Sequence, residues 1–211
     1  MSNKSDLDYK YKKFSIIDDK TIEYKRERFK IMDITELGFH HKGTKVVTNF
    51  VPMGEDHEAY LMVGLKTRSK PIHINYRGAH TRKIIFEDTF TKALTIESIY
   101  RRLAELTFKQ RVDKYLSELE SEGYFTYAQA KFFPNGEIIF PKKNGRVDQS
   151  NYHFSRTSSD VFLKEIKPEP TTVWGHVKKK LHDPISYSIP TSVDGDVFFA
   201  LIKHYYKRSW G

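Results

Sequence analysis

Apolar and polar positions along this chain change period twice. From Phe14 to Phe90 they alternate, as the two faces of a strand do, in Lys45-Val46-Val47-Thr48-Asn49-Phe50, Ala59-Tyr60-Leu61-Met62-Val63 and Pro71-Ile72-His73-Ile74-Asn75-Tyr76. Turn signals divide these runs at His41-Lys42-Gly43, Pro52-Met53-Gly54 and Arg77-Gly78, and Arg82 to Phe86 adds another short apolar run. The expectation is an antiparallel sheet of about four strands. The period then becomes helical. Ile96, Ile99, Tyr100, Leu103 and Leu106 share one face, with Thr95 as N-cap. Thr107 and Gln110 stand at capping-box spacing and predict a second helix at once, with Phe108, Val112, Tyr115, Leu116 and Leu119 on its apolar face and Gly123 as its stop.

Alternation returns after Gly123, and Asn135-Gly136 is placed as the turn of a hairpin. Val161 to Ile166 reads as a strand ended by Pro168 and Pro170, Val173 to Leu181 as a short helix, and Asp196 to Tyr206 as a terminal helix. The expected fold class is α+β: a β-rich N-terminal half, a central winged-helix-like unit and a small C-terminal α/β portion. The boundaries are a flexible basic arm over 1–13, a β-rich region over 14–90, the winged-helix-like unit over 91–143 and the C-terminal region over 144–211.

Two helices joined tightly, the ending Leu119-Glu120-Ser121-Glu122-Gly123-Tyr124-Phe125, and a hairpin where a wing belongs carry a resemblance. From Leu94 to Phe140 the chain resembles the winged helix-turn-helix superfamily. That resemblance implies a helix from Thr107 to Glu122 in the major groove of duplex DNA, its exposed N-terminal side chains reaching base edges. Lys109, Gln110 and Lys114, with Asp113 and Ser117, would then face bases. Arg101, Arg102 and Arg111 would meet phosphates, and Lys131, Lys142 and Lys143 around the hairpin would grip the neighbouring backbone. The link between the helices is shorter than the superfamily's usual turn, and its first core helix has to come from Glu87 to Ala93.

Charge favours a polyanionic partner. Thirty-six Lys and Arg face 27 Asp and Glu among 211 residues, a formal net charge of +9 and a pI of about 9.4. Thirteen Tyr and 15 Phe suit base stacking, and equally the core of a β-rich protein. The absence of cysteine excludes disulfides and thiolate metal sites. A polar N-terminus and the lack of a long apolar run predict a cytoplasmic protein with no membrane contact. Lys178-Lys179-Lys180, Lys203, Lys207 and Arg208 add positive surface toward the C-terminus.

Other chemistry is sparser. Glu165-Ile166-Lys167 at a strand end, with Asp148 or Asp160 upstream, resembles the signature of the PD-(D/E)XK nucleases. By that likeness Glu165 and Asp148 would hold Mg²⁺ and Lys167 would orient a water, although the proline expected before the upstream Asp is missing. Asp194-Gly195-Asp196 reads as a turn and helix cap ahead of a D-x-D metal site. The nine histidines show no i, i+4 pair of a helical zinc site. The function expected is nucleic-acid binding, to duplex DNA, in regulation, replication or a mobile element, with no resident cofactor. The alternatives are the Mg²⁺-dependent nuclease and a protein-interaction or assembly factor.

Overall fold

Alternating side chains in the first 78 residues do build sheet, but two sheets and longer strands than the turn signals imply. The computed structural model describes residues 9–48, 51–78, 86–141, 145–148, 152–157, 160–166 and 186–206. It divides into two compact units, Met1–Arg111 and Val112–Gly211.

In the first unit, β1 (Lys10–Tyr11), β2 (Phe14–Asp18), β3 (Thr21–Tyr24) and β4 (Glu27–Lys30) form an antiparallel meander. The strands are short because a turn residue intervenes every few positions; Asp18 Oδ1, for instance, accepts the Lys20 backbone N–H at 2.8 Å. A 3₁₀ turn over Ile31–Asp33 leads to β5 (Ile34–Thr48) and β6 (Val51–Leu65), a long two-stranded ribbon, with β7 (Ile72–Arg77) paired to β6 from Glu58 to Val63. His41-Lys42-Gly43 and Pro52-Met53-Gly54, expected as turns, lie inside β5 and β6. They are tolerated because β5 is an edge strand, and beyond Glu58 β6 has β5 as its ladder partner; edges accept Gly and Pro. Lys10 and Tyr11, assigned from sequence to a flexible arm, pair with Ser15 and Phe14; residues 1–8 lie outside the described residues.

The central expectation is corrected by α1 (Phe86–Glu122), one uninterrupted helix of 37 residues. There is no turn at Glu105–Thr107, so no helix-turn-helix and no winged unit; the protein is mostly β-sheet, with four antiparallel sheets and two helices among the described residues. The physical reason lies in Thr107. Its hydroxyl does not cap a new helix but donates back to the Leu103 carbonyl at 2.7 Å, four residues earlier, and the side chain is fully buried. Without Gly or Pro between Leu103 and Gly123, nothing breaks the hydrogen-bond ladder. Ala93, Ile96, Ile99 and Leu103 close the first core against Leu37, Leu61, Val63, Ile72 and Ile74.

The second unit takes α1 from Val112 onward. Gly123, at φ +76°, ends the helix as foreseen. A meander follows: β8 (Phe125–Tyr127), β9 (Ala130–Phe132), β10 (Glu137–Phe140) and β11 (Gly145–Asp148). The Asn135-Gly136 turn forms between β9 and β10, Asn135 Oδ1 accepting the Glu137 N–H at 3.0 Å. A three-stranded sheet of β12 (Tyr152–Arg156), β13 (Asp160–Glu165) and β14 (Ser186–Pro190) precedes α2 (Gly195–Tyr206). The core is aromatic, with Tyr127 stacked on Phe198 at 4.1 Å and Phe125 on Phe132 at 5.1 Å between ring centroids. The short helix expected from Val173 to Leu181 falls outside the described residues. No helix among those described is long and apolar enough to cross a membrane.

Candidate nucleic-acid interface

Several residues expected to touch DNA have partners within the chain. Arg111, 1% exposed, donates from Nε to Thr107 Oγ1 at 3.0 Å and from Nη2 to the Ala104 carbonyl at 3.3 Å. Gln110 turns inward and donates to the Ile31 and Ile34 carbonyls at 3.1 and 2.9 Å. Arg102 bonds Asp19 and Glu105, which raise its already high pKa. Arg101 is exposed but grips Glu97 through Nε and Nη2 at 3.0 and 2.6 Å. Lys131 donates to Tyr124 Oη at 3.0 Å and lies over that ring. Lys109 and Lys114 are exposed on α1. Lys142, Lys143 and Lys167 lie outside the described residues.

Among the described residues, a cluster of cations sits on the N-terminal meander. A two-residue turn, Lys12-Lys13, joins β1 to β2, and another, Lys25-Arg26, joins β3 to β4. Lys12 (φ +53°), Lys25 (φ +53°) and Arg26 (φ +71°) all occupy the left-handed region, which favours Gly and Asn. The Lys25 backbone N–H donates to the Lys13 carbonyl at 2.9 Å, so the two tips lie side by side. Between them opens a cleft of about 390 Å³ lined by Lys10, Lys12, Lys13, Lys25 and Arg26, with Glu23 as its one acidic group.

The acidic groups of this meander are already engaged. Glu23 pairs with Arg28 at 3.6 Å, Glu27 with Arg68 at 3.5 Å and Asp19 with Arg102 at 2.6 Å. The Lys20 backbone N–H holds the Asp18 carboxyl below its ordinary pKa. By contrast, Lys10, Lys13, Lys25 and Arg26 have no ion pair among the described residues, and all four are exposed. Charge follows the same division along the chain: 22 Lys and Arg against 15 Asp and Glu up to Arg111, and 14 against 12 beyond it. The sequence signal was present as two dibasic pairs thirteen positions apart, each between alternating apolar runs.

A second polar cluster lies where the ribbon meets α1. His41 Nε2 faces His57 Nδ1 at 3.1 Å, and His41 Nδ1 lies 3.4 Å from Glu97 Oε2. The Phe90 ring leans on His57 at 4.9 Å.

In the second unit, Asp148 and Glu165 line one cavity of about 570 Å³ together with Glu137, Arg146 and Tyr152. Arg146 Nε contacts Glu137 Oε1. Among the described residues no three His, Asp or Glu are arranged to hold a metal ion, these carboxylates included. Asp194 is buried and accepts the Tyr115 hydroxyl at 3.3 Å, and Asp196 sits in the first turn of α2.

No family model, curated protein or solved structure matches this chain.

Proposed function

We propose that the chain binds nucleic acid through the backbone phosphates, held in the cleft between the Lys12-Lys13 and Lys25-Arg26 turns. The observation carrying this reading is the imbalance of partners there. Four exposed cations converge without an ion pair among the described residues, while the neighbouring carboxylates are occupied. Phosphate is the anion that presents itself in a regular series, and each one neutralised releases a counterion into solution. At 0.1 M salt this is worth about 0.7 decades in affinity for each contact with a single strand, roughly fivefold.

The test is fluorescence anisotropy with a labelled oligonucleotide across a salt series. Exchanging Lys13 and Arg26 together for Ala lowers affinity about 25-fold at 0.1 M and flattens the slope of log K against log salt by about 1.4. An unchanged slope in that variant removes the cleft from the binding face. A parallel incubation with supercoiled plasmid and Mg²⁺ tests the nuclease alternative, which draws support from Asp148 and Glu165 sharing one cavity. Cleavage lost in Glu165→Ala with binding retained would select it.

A further inference from the structure

The basic cleft has a neighbour of different chemistry. A smaller pocket, about 150 Å³, adjoins it and shares Lys12 and Lys13 as a common wall. Tyr11, Tyr24 and His73 supply its aromatic surface and Asn75 a polar edge. Lys12 Nζ donates to the Asn75 carbonyl at 3.3 Å, which ties the meander tip to β7 across the pocket. The ring of His73 is held in turn, because its Nδ1 contacts the Tyr60 hydroxyl, and the two rings lie 5.6 Å apart. Burial pushes the Tyr60 phenol above its ordinary pKa.

A row of cations beside a small aromatic pocket matches the two halves of a nucleotide, an anionic phosphate and a flat ring joined by a short sugar. From these juxtaposed sites we infer that the protein takes single-stranded nucleic acid, with phosphates on Lys13, Lys25 and Arg26 and one unstacked base in the pocket of Tyr11, Tyr24 and His73. The inference rests on the proposed phosphate cleft and adds the strand state of the ligand. A duplex keeps its bases stacked and paired inside, and reaching the pocket would require unpairing one. In a single strand every base has a free face, and stacking on aromatic side chains is tolerant of sequence. A β-sheet surface offering aromatics next to lysines is suited to that mode.

The experiment compares four labelled ligands at one salt concentration: a twelve-residue oligothymidylate, an abasic strand of the same length, a blunt duplex and heparin. The abasic strand keeps the phosphates and lacks the bases. The oligothymidylate is expected to bind about 5- to 150-fold more tightly than the abasic strand, the range for one stacked base, with the duplex close to the abasic value. His73→Ala, at an exposed position, is expected to close that gap while leaving abasic affinity unchanged. Equal affinity for the oligothymidylate and the abasic strand overturns the base pocket and leaves the phosphate cleft standing. Heparin binding as tight as oligothymidylate also overturns it, in favour of a general polyanion site. Absence of binding to every ligand overturns the phosphate cleft itself.

Discussion

Replacing Lys25-Arg26 by Asn-Gly separates what the turn does for folding from what its charges do for binding. Both residues sit in the left-handed region, at φ +53° and +71°, in a two-residue hairpin turn. Asn-Gly is the pair that favours this turn type, because Gly has no Cβ to clash and Asn tolerates the conformation. Each ordinary residue there costs roughly 1–2 kcal/mol, and the extra freedom of Gly in the unfolded chain returns roughly 0.5–1 kcal/mol of that gain. The net expectation is about 1–3 kcal/mol of added stability, and about 2–4 °C in Tm for each kcal/mol in a chain of this size. Affinity moves the other way: two lost phosphate contacts lower it about 25-fold at 0.1 M salt and flatten the salt slope by about 1.4. Differential scanning calorimetry and an anisotropy salt titration on one preparation give both readings. An internal control exists at Ala128-Gln129, a turn of the same kind at φ +46° and +70° between β8 and β9. Asn-Gly there is expected to raise Tm similarly with affinity untouched. A Lys25-Arg26 variant that melts higher yet binds as tightly at every salt concentration would refute the assignment of these charges to the ligand.

Three further outcomes follow from the packing. Arg111→Ala, which strips a buried side chain from α1, is expected to cost about 2–5 kcal/mol in urea unfolding with oligonucleotide affinity unchanged in the folded protein; a selective loss of affinity would return Arg111 to the binding face. Gly145→Ala places a Cβ onto the Tyr187 hydroxyl and within 2.5–2.6 Å of its ring carbons, while that ring stacks on Phe140, so a loss of about 1–3 kcal/mol is expected by the same assay. Burial of Tyr206 pushes its phenol well above the ordinary value of 10, and the hydroxyl donates to the Phe133 carbonyl at 2.9 Å. Stability from this group is therefore intact below pH 10 and is lost as pH rises toward the folded value, by about 1.4 kcal/mol per pH unit. Tyr206→Phe is expected to flatten that alkaline limb while costing about 1 kcal/mol at pH 7; an equally steep limb in the variant would place the titrating group elsewhere.

The strands with a regular apolar rhythm were legible, as were the Asn135-Gly136 turn and α2, because each rests on local chemistry. The long helix was not. Its apolar stripe shifts phase: Leu103, in the first core, and Val112, packed against the second, are nine positions apart, about two and a half turns. A stripe that jumps looks like a break, and Thr107 with Gln110 stood where a capping box would mark one. In the folded chain, Thr107 bonds backward along the helix and Gln110 reaches the carbonyls of Ile31 and Ile34, nearly eighty positions away in sequence. No local pattern encodes that second partner. The basic cleft was hidden for a related reason: Lys12-Lys13 fell within a stretch read as an arm, and the pairing of β2 with β3, extended by the bond from Lys25 to Lys13, brings the two dibasic turns together.

The file formed by Glu97, His41 and His57 has a direction. A lone pair on His41 Nδ1 would face carboxylate oxygen at 3.4 Å, so that nitrogen carries the hydrogen. In a neutral imidazole the opposite nitrogen, Nε2, must then accept, and the hydrogen across the 3.1 Å gap belongs to His57 Nδ1. One carboxylate on α1 thereby selects the tautomer of two histidines on different strands of the ribbon. Glu97→Gln, whose amide can donate or accept, removes that choice, and the nitrogen-15 shifts of both rings are expected to change together although only His41 touches the substituted residue.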